Sequence, residues 1–429
     1  NEAMRTPHKD DTLQRRQFIQ RCVASAFSLS ILPGAAVAST SSAAAGAENP
    51  GQGFGKAKHV IFIMLKGGLT QVDTFDPKEP GGSPFKTIRN SADGEFTSAI
   101  PKMAAIADRM CVIRSMTGKI GIHGSAQYFM RTAYTERGTV KHPMIGAYAN
   151  AILGPSHDVM PSTVTVNRGA GFGNGFLPTS MGPLPILEPA KGLQDVKAPK
   201  GMDHLKKRLS ILDQLDHKFR EAKPDKYVKA YNEFYEEAVR LMDGQDVKAF
   251  DLALESKQMR DAYGNSRLGQ GCLLARRLVE SGVRFIEVES SGWDMHAGLE
   301  HAMAEKAPPL DQAVSQLILD LEQRGLLGET LVVLTTEFGR NPREGGGGRG
   351  HFPSAWSVAL AGAGVKAGSI FGATANDGAG VTENPVTTGQ LHSTIGWALG
   401  IQPKHEVMSP SRRPFSIGNE AQPILGAMA

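Results

Sequence analysis

Apolar positions in this chain fall into two kinds of run. The first kind is short, continuous and rich in β-branched residues: His59–Leu65, Met110–Arg114, Ser162–Val166, Arg284–Val288, Thr330–Thr335 and Ala355–Leu360. Runs that stay apolar without alternating suit strands buried on both faces, as in a mostly parallel sheet. The second kind repeats every three or four residues. Leu310, Val314, Leu317 and Leu321 keep that spacing within Pro308–Arg324. Residues 100–109, Ala126–Tyr134, Arg267–Ser281 and Thr388–Leu399 also read as helices, two of them closed by Gly282 and Gly400. Strand, helix, strand between Arg284 and Thr335 predicts a right-handed βαβ unit. Strands alternating with helices place the chain in the α/β class.

Two stretches break this rhythm. Residues 168–200 are rich in Gly and Pro and read as irregular. From about 202 to 258 the sequence becomes highly charged and helical, which predicts a helical insertion with a solvated face and one apolar stripe. The domain proper is expected over 58–429, after a flexible Ala/Ser/Gly-rich leader at 39–57.

Composition and charge narrow the function classes. The 429 residues are 41% hydrophobic and 21% charged, a globular balance that argues against general disorder. Net charge is +4; five of the Lys and Arg and three of the acids fall in residues 1–38, so the remainder carries +2. That near-neutral balance gives no case for nucleic acid as a partner. Residues 1–38 read as an export signal. Gln14-Arg15-Arg16-Gln17-Phe18-Ile19-Gln20 has twin-arginine spacing, Cys22 to Ala38 is moderately apolar, and Ala36-Val37-Ala38 is a small-x-small cleavage pattern. The apolar run is short and broken by Pro33 and Gly34, which favours a cleaved signal over an anchor. The expectation is export by the twin-arginine (Tat) machinery to the periplasm or beyond, with no transmembrane anchor after cleavage. Cys111 and Cys272 would then remain, able to pair in an oxidising compartment but too few for a disulfide framework.

Candidate chemistry gathers at strand ends. Gly292-Trp293-Asp294-Met295-His296 follows one apolar run, Thr336-Glu337-Phe338-Gly339-Arg340 ends another, and Arg349-Gly350-His351-Phe352 lies a short glycine-rich loop further on. Asp294, His296, Glu337 and His351 are oxygen and nitrogen donors of types that Zn, Ca, Mn and other divalent metals accept. Ligands in open α/β sheets sit at the carboxyl ends of the strands, where these residues fall. Arg340, Arg343 and Arg349 surround the same loop and suit bidentate binding of phosphate or sulfate. Glu337 with Arg340 equally reads as an ion pair that holds the loop. Upstream, His123-Gly124-Ser125 precedes a helix. Ser125 is a candidate nucleophile or helix cap, and His123 a candidate proton-transfer residue. Asp73 and Asp76, after Gly67-Gly68, are either site residues or turn and cap residues before Pro77.

Lys66-Gly67-Gly68 with Asp73-Thr74-Phe75-Asp76-Pro77-Lys78, together with Gly292-Trp293-Asp294-Met295-His296, Thr336 to Pro342 and Gly348 to Pro353, resembles the domain-of-unknown-function 1501 family. The resemblance covers roughly residues 55–425. It implies secreted, often Tat-dependent proteins similar to sulfatases and alkaline phosphatases. The implied fold is a three-layer alkaline-phosphatase-like sandwich with a mostly parallel central sheet. By the same resemblance Asp294 and His296 take the place of one metal-ligand pair, and His351 matches a late histidine. Gly67, Phe338 and Gly350 depart from the superfamily, standing where further acidic or imidazole groups are expected. No sulfatase signature of Cys or Ser followed by x-Pro/Ala-x-Arg is present, which argues against formylglycine chemistry. Two functional readings follow. One is metal-assisted hydrolysis of a small anionic ester or a sulfated or phosphorylated glycan. The other is a non-catalytic protein binding an anionic ligand in the same cleft. A third, purely structural reading would leave Asp294 and His296 far from Glu337 and His351.

Overall fold

The computed structural model describes residues 51–78, 82–169, 173–193, 201–211, 239–343 and 345–429. The expected export signal, most of the leader and the middle of the expected insertion lie outside them. The described parts of that insertion are helical at 202–211 and form 3-10 turns at Gln245–Phe250 and Leu252–Leu254.

The apolar runs assemble into one eight-stranded sheet. In chain order its strands are β1 (His59–Lys66), β2 (Met110–Met116), β3 (Thr163–Val166), β4 (Leu184–Ile186), β5 (Phe285–Ser291), β6 (Thr330–Thr336), β7 (Trp356–Gly362) and β8 (Ser369–Phe371). Their spatial order is β8-β2-β7-β6-β1-β5-β3-β4. Only β7 runs against its neighbours; every other pairing is parallel. The continuous apolar character of β1 follows from its central place, with Val60 to Leu65 wholly buried. Ile61, Ile63 and Leu65 face one core, and Val60, Phe62 and Met64 the other. The alternation that a one-sided sheet would show is absent because both faces are covered.

The helices are α1 (Pro101–Ala105), α2 (His123–Thr132), α3 (Ile145–Leu153), α4 (Lys257–Tyr263), α5 (Arg267–Glu280), α6 (Leu299–Gln323) and α7 (Thr388–Ala398). Residues of α5 and α6 pack with Ile61 and Ile63, while those of α2, α3 and α7 pack with Phe62 and Met64. The result is a three-layer α/β sandwich. Among the described residues no helix is long and apolar enough to cross a membrane.

Several sequence expectations shift. The helix expected at Pro308–Arg324 begins at Leu299, because Met303 and Ala307 extend the apolar stripe and the interior Pro308 and Pro309 do not end it. β5 and β6 are not neighbours; β1 lies between them. The Gly/Pro-rich stretch contributes β4 at one edge of the sheet, and the stretch from Gly362 to Gly372, whose glycines read as a turn, contributes β8 at the other. Cys111 and Cys272, which the sequence left able to pair, are both free and buried, in cores on opposite faces of the sheet, as the apolar run Met110–Ile113 around Cys111 favours.

Two buried histidines tie helices together. His392 of α7 donates from Nε2 to the Met130 carbonyl of α2 at 2.7 Å. His142 stacks on Tyr134 at 4.5 Å between ring centres and takes the Tyr128 hydroxyl proton on Nδ1 at 2.9 Å. Burial holds both well below the usual imidazole range, at about 4. The unfolded chain, with histidines near 6.5, therefore takes up protons first as pH falls. Stability should drop between about pH 6.5 and pH 4, the window between those values. The imidazole NMR shifts of His142 and His392 should stay constant from pH 8 to about 5. Titration of either near pH 6.5 would contradict this account.

Candidate functional site

The candidate site stands at the carboxyl ends of the three central strands, where β1 passes into Gly67-Gly68, β5 into Gly292–His296 and β6 into Glu337 and Phe338. The chain crosses itself very closely there. Gly67 has φ +127°, and a Cβ on it would lie 2.4 Å from the Asp294 amide nitrogen. Its N–H donates to both Glu337 carboxylate oxygens, at 2.9 and 3.1 Å, and its carbonyl accepts from Arg340. A side chain at position 67 has no room.

His123 is the first residue of α2, so the helix starts earlier than the sequence suggests and Ile122 is its cap residue. Ser125 is therefore not the cap. It follows His123 by two residues, about 200° around the helix, and faces away from it. Its hydroxyl makes no hydrogen bond among the described residues. Positions one and two turns on do share the His123 face. Gln127 donates to Glu337 Oε1 at 3.1 Å, and Arg131 pairs with Glu287 and Glu289 of β5 at 2.7 and 2.8 Å. Gln127 was not among the sequence candidates; its place four residues after His123 was the available signal.

Three imidazoles converge on one carboxylate. Asp294 Oδ2 lies 3.2 Å from His123 Nε2, and Oδ1 lies 3.0 Å from His296 Nε2 and 3.4 Å from His351 Nε2. His296 Nε2 is 3.0 Å from His351 Nε2. Donor atoms of His123, Asp294 and His351 all fall within 4.8 Å of one another. Partners on the far side set the tautomers. His123 Nδ1 meets Glu337 Oε1 at 2.8 Å, and His351 Nδ1 meets the Gly121 carbonyl at 2.7 Å. Both partners only accept, so each Nδ1 carries a proton and each Nε2 is the ring nitrogen turned toward Asp294. His123 Nε2 is buried there without a hydrogen-bond partner. Phe338, fully buried, lies beneath the His123 and His351 rings at 4.9 and 4.7 Å.

Glu337 stands behind this cluster. Its buried carboxylate is occupied by Gly67 N–H, His123, Gln127 and the Thr336 hydroxyl, and it reaches the converging nitrogens only through His123. It forms no ion pair with Arg340, which instead grips Asp294. The Arg340 guanidinium is fully committed. Nε donates to Gly68 O at 3.1 Å, Nη1 to Arg349 O at 2.9 Å and toward His296 Nε2 at 3.4 Å, and Nη2 to Gly67 O and Asp294 Oδ1. Burial by itself would raise the Asp294 pKa, but the hydrogen bond and charge of Arg340, then His123, outweigh it and hold the group at about 2. Arg349 is likewise engaged, by both oxygens of buried Asp73 and by the Gly82, Asn341 and Pro342 carbonyls. Asp76 pairs with Lys78 and bonds the Thr374 hydroxyl. Asp73 and Asp76 are thus structural, and the N–H groups of Arg340 and Arg349 all go to protein acceptors, those of Arg340 including Asp294 and His296 of the cluster itself. Arg343 is exposed beyond the cleft, 3.8 Å from Asp377.

The glycine run delivers His351 as its composition suggested. A Cβ on Gly348 would lie 2.1 Å from the His296 carbonyl carbon, and Arg349 N–H donates to Met295 O at 2.9 Å. The two-residue strand His351–Phe352 then pairs with Gly339–Arg340.

An α/β sandwich with a His/Asp cluster at its strand ends defines the class. The chain belongs to the family described as protein of unknown function (DUF1501), whose model matches residues 57–428. No curated protein matches it. Among solved structures it is similar to the PsFucS1 sulfatase from Pseudoalteromonas sp., at 14% identity and TM-score 0.38 over 80% of this chain and 68% of that one. It is also similar to Ps i-CgsB in complex with k-i-k-neocarrahexaose (12%, TM-score 0.41, 80% and 72%). The alkaline phosphatase from the Antarctic bacterium TAB5 matches at 13% and TM-score 0.33, over 76% and 96% of the two chains. At these values the likeness is one of chain path.

Gly67→Ala should cost at least about 2 kcal/mol, since both the close approach and the positive φ resist a Cβ. Urea unfolding of the variant measures the loss; a midpoint equal to the parent's would refute the crossing.

Proposed function

We propose that the cluster binds one divalent cation through His123, Asp294 and His351, with His296 beside them, and that the protein is a metal-assisted hydrolase of phosphate or sulfate esters. The orphaned Nε2 of His123 carries this reading. Glu337 accepts the Nδ1 proton of the ring, so Nε2 faces the Asp294 carboxylate, 3.2 Å away and without a hydrogen-bond partner. A ring nitrogen and a carboxylate placed this way are joined either by a proton on Nε2 or by a metal ion, and the carboxylate–histidine arrangement behind His123 is the usual backing of a metal ligand. Imidazole nitrogen and carboxylate oxygen suit Zn or Mn, and the oxygen alone suits Ca.

When bound, such an ion polarises an ester oxygen and lowers the pKa of a water molecule. The protein's residues do the rest. Glu337 holds the proton on His123 Nδ1 and fixes the ring. Arg340 holds Asp294 ionised and in place. Phe338 closes the floor of the site against water. His296, about half exposed, is the imidazole best placed to exchange a proton with solvent. Ester classes to try are an aryl phosphate, an aryl sulfate and a sulfated glycan.

A second reading is a non-catalytic binder of an anionic ligand. It is favoured by the commitment of Arg340 and Arg349 to protein acceptors, which leaves neither to stabilise a transition state. Turnover separates the two readings.

Calorimetry with Zn and Mn should find one equivalent bound per chain, lost in His123→Ala and His351→Ala. Ester turnover should fall at least a hundredfold in the same variants and on chelation. A protein with no stoichiometric metal, and with activity indifferent to His351→Ala, would end the metal reading. We also propose export through the twin-arginine route, on the strength of Arg15-Arg16 and the Ala36-Val37-Ala38 pattern. Replacing both arginines with Lys should retain the protein in the cytoplasm on fractionation; unchanged export would contradict it.

A further inference from the structure

Lys66 is the last residue of the central strand, directly before Gly67. Residues 60 to 65 ahead of it and Gly67 to Gln71 behind it are all buried, whereas Lys66 is partly exposed. Strand alternation continues the Val60, Phe62, Met64 face, which is the face that carries α2 and therefore His123. In register Lys66 lies opposite Ser291 at the end of β5. On its other side Leu65 pairs with Thr336, so Lys66 stands level with Glu337. The lysine thus sits in the row of strand ends that forms the candidate site, one residue from the peptide that ties Glu337 to Arg340.

Its ammonium group is bonded to nothing among the described residues: it makes no hydrogen bond and no ion pair. Neighbouring cations differ. Arg340 and Arg349 are committed to carbonyls and carboxylates, Arg131 to Glu287 and Glu289, and Arg114 lies 3.5 Å from Asp76. A partly buried ammonium loses hydration, and a counter-charge normally compensates that loss. Here the protein supplies none, although Glu337 and Glu289 are close along the strands. Both carboxylates are held by other partners.

We propose that Lys66 binds the tetrahedral oxyanion, phosphate or sulfate, of the ligand at this site. The proposal rests on the location given under Proposed function but not on turnover. The ammonium is a compact point charge on a flexible four-carbon stem, suited to an anion of several orientations, and it fills the role that neither Arg340 nor Arg349 is free to fill. Because the residue contributes only its backbone carbonyl to the strap, through the Trp293 N–H at 3.2 Å, its side chain can be exchanged without disturbing the crossing.

The test is calorimetric titration of inorganic phosphate and inorganic sulfate into the full protein, with and without prior loading with Zn. Lys66→Met should weaken binding of the preferred anion by about ten- to hundredfold, the range for loss of one charge-assisted hydrogen bond. Lys66→Arg should keep most of it, and metal content and unfolding midpoint should match the parent in both. If Lys66→Met fails to fold, Lys66→Gln carries the same comparison. Unchanged affinity on removing the charge, or a parent protein that binds neither anion, overturns the proposal. A parent that binds the anion through Lys66 yet hydrolyses no ester leaves this proposal standing and removes the hydrolase reading. Ester turnover with KM and phosphate inhibition unaltered in Lys66→Met does the reverse.

Discussion

The site depends on a buried cation that does no binding of its own. Arg340 joins three separate parts of the chain: the Gly67-Gly68 turn after β1, the Asp294 strap after β5, and the return loop at Arg349. A guanidinium has five N–H donors in a fixed plane, so it can hold several acceptors at set angles at once. Taking it away would leave three buried carbonyls without their donor and Asp294 without its counter-charge, which costs more than the net value of any single bond. Arg349 repeats the device one layer further out, on Asp73 and on the Gly82, Asn341 and Pro342 carbonyls. Both arginines are therefore scaffold, and the chemistry is left to imidazole and carboxylate.

The helix that delivers His123 is positioned along its whole length. One face of α2 meets Glu337 through His123 and Gln127, then Glu287 and Glu289 through Arg131. Arg168 also pairs with Glu287, at 3.2 Å. This buried ionic cluster sits on β5, the strand that leads into Asp294, so the helix of one candidate ligand is fastened to the strand of another. His392 adds a tie from α7 to the Met130 carbonyl. Ion pairs of this kind contribute little net stability against a well-packed apolar alternative, but they define one geometry, which a ligand cluster requires.

Much of this was readable from the residues. Continuous apolar runs marked the central strands, since burial on both faces removes alternation, and the chemistry-bearing motifs directly followed them. The glycine run before His351 pointed correctly to a loop lying on other backbone. Less readable were roles that depend on who stands behind whom. Glu337 and Asp294 look equivalent as carboxylates at strand ends, yet one is buried under a peptide N–H and the other faces the cleft. Arg340 looks like an anion ligand in the sequence, yet its N–H groups are spent on the protein, whereas Lys66, which no motif singled out as an anion ligand, lacks a protein partner.

Local pattern thus determined the α/β class, the approximate strands and helices, the strand-end location of Asp294, His296, Glu337 and His351, and the family resemblance. These are short-range properties of burial period and motif spacing. Tertiary structure alone decided that β1 separates β5 from β6, that His123 joins Asp294 and His351, that Ser125 faces away, and that Gly67 must lack a side chain. Each of these depends on contacts between residues far apart in sequence: 214 positions separate His123 from Glu337, and 273 separate Gly67 from Arg340. No periodicity along the chain records such distances, because they arise only when the sheet brings its strand ends into register.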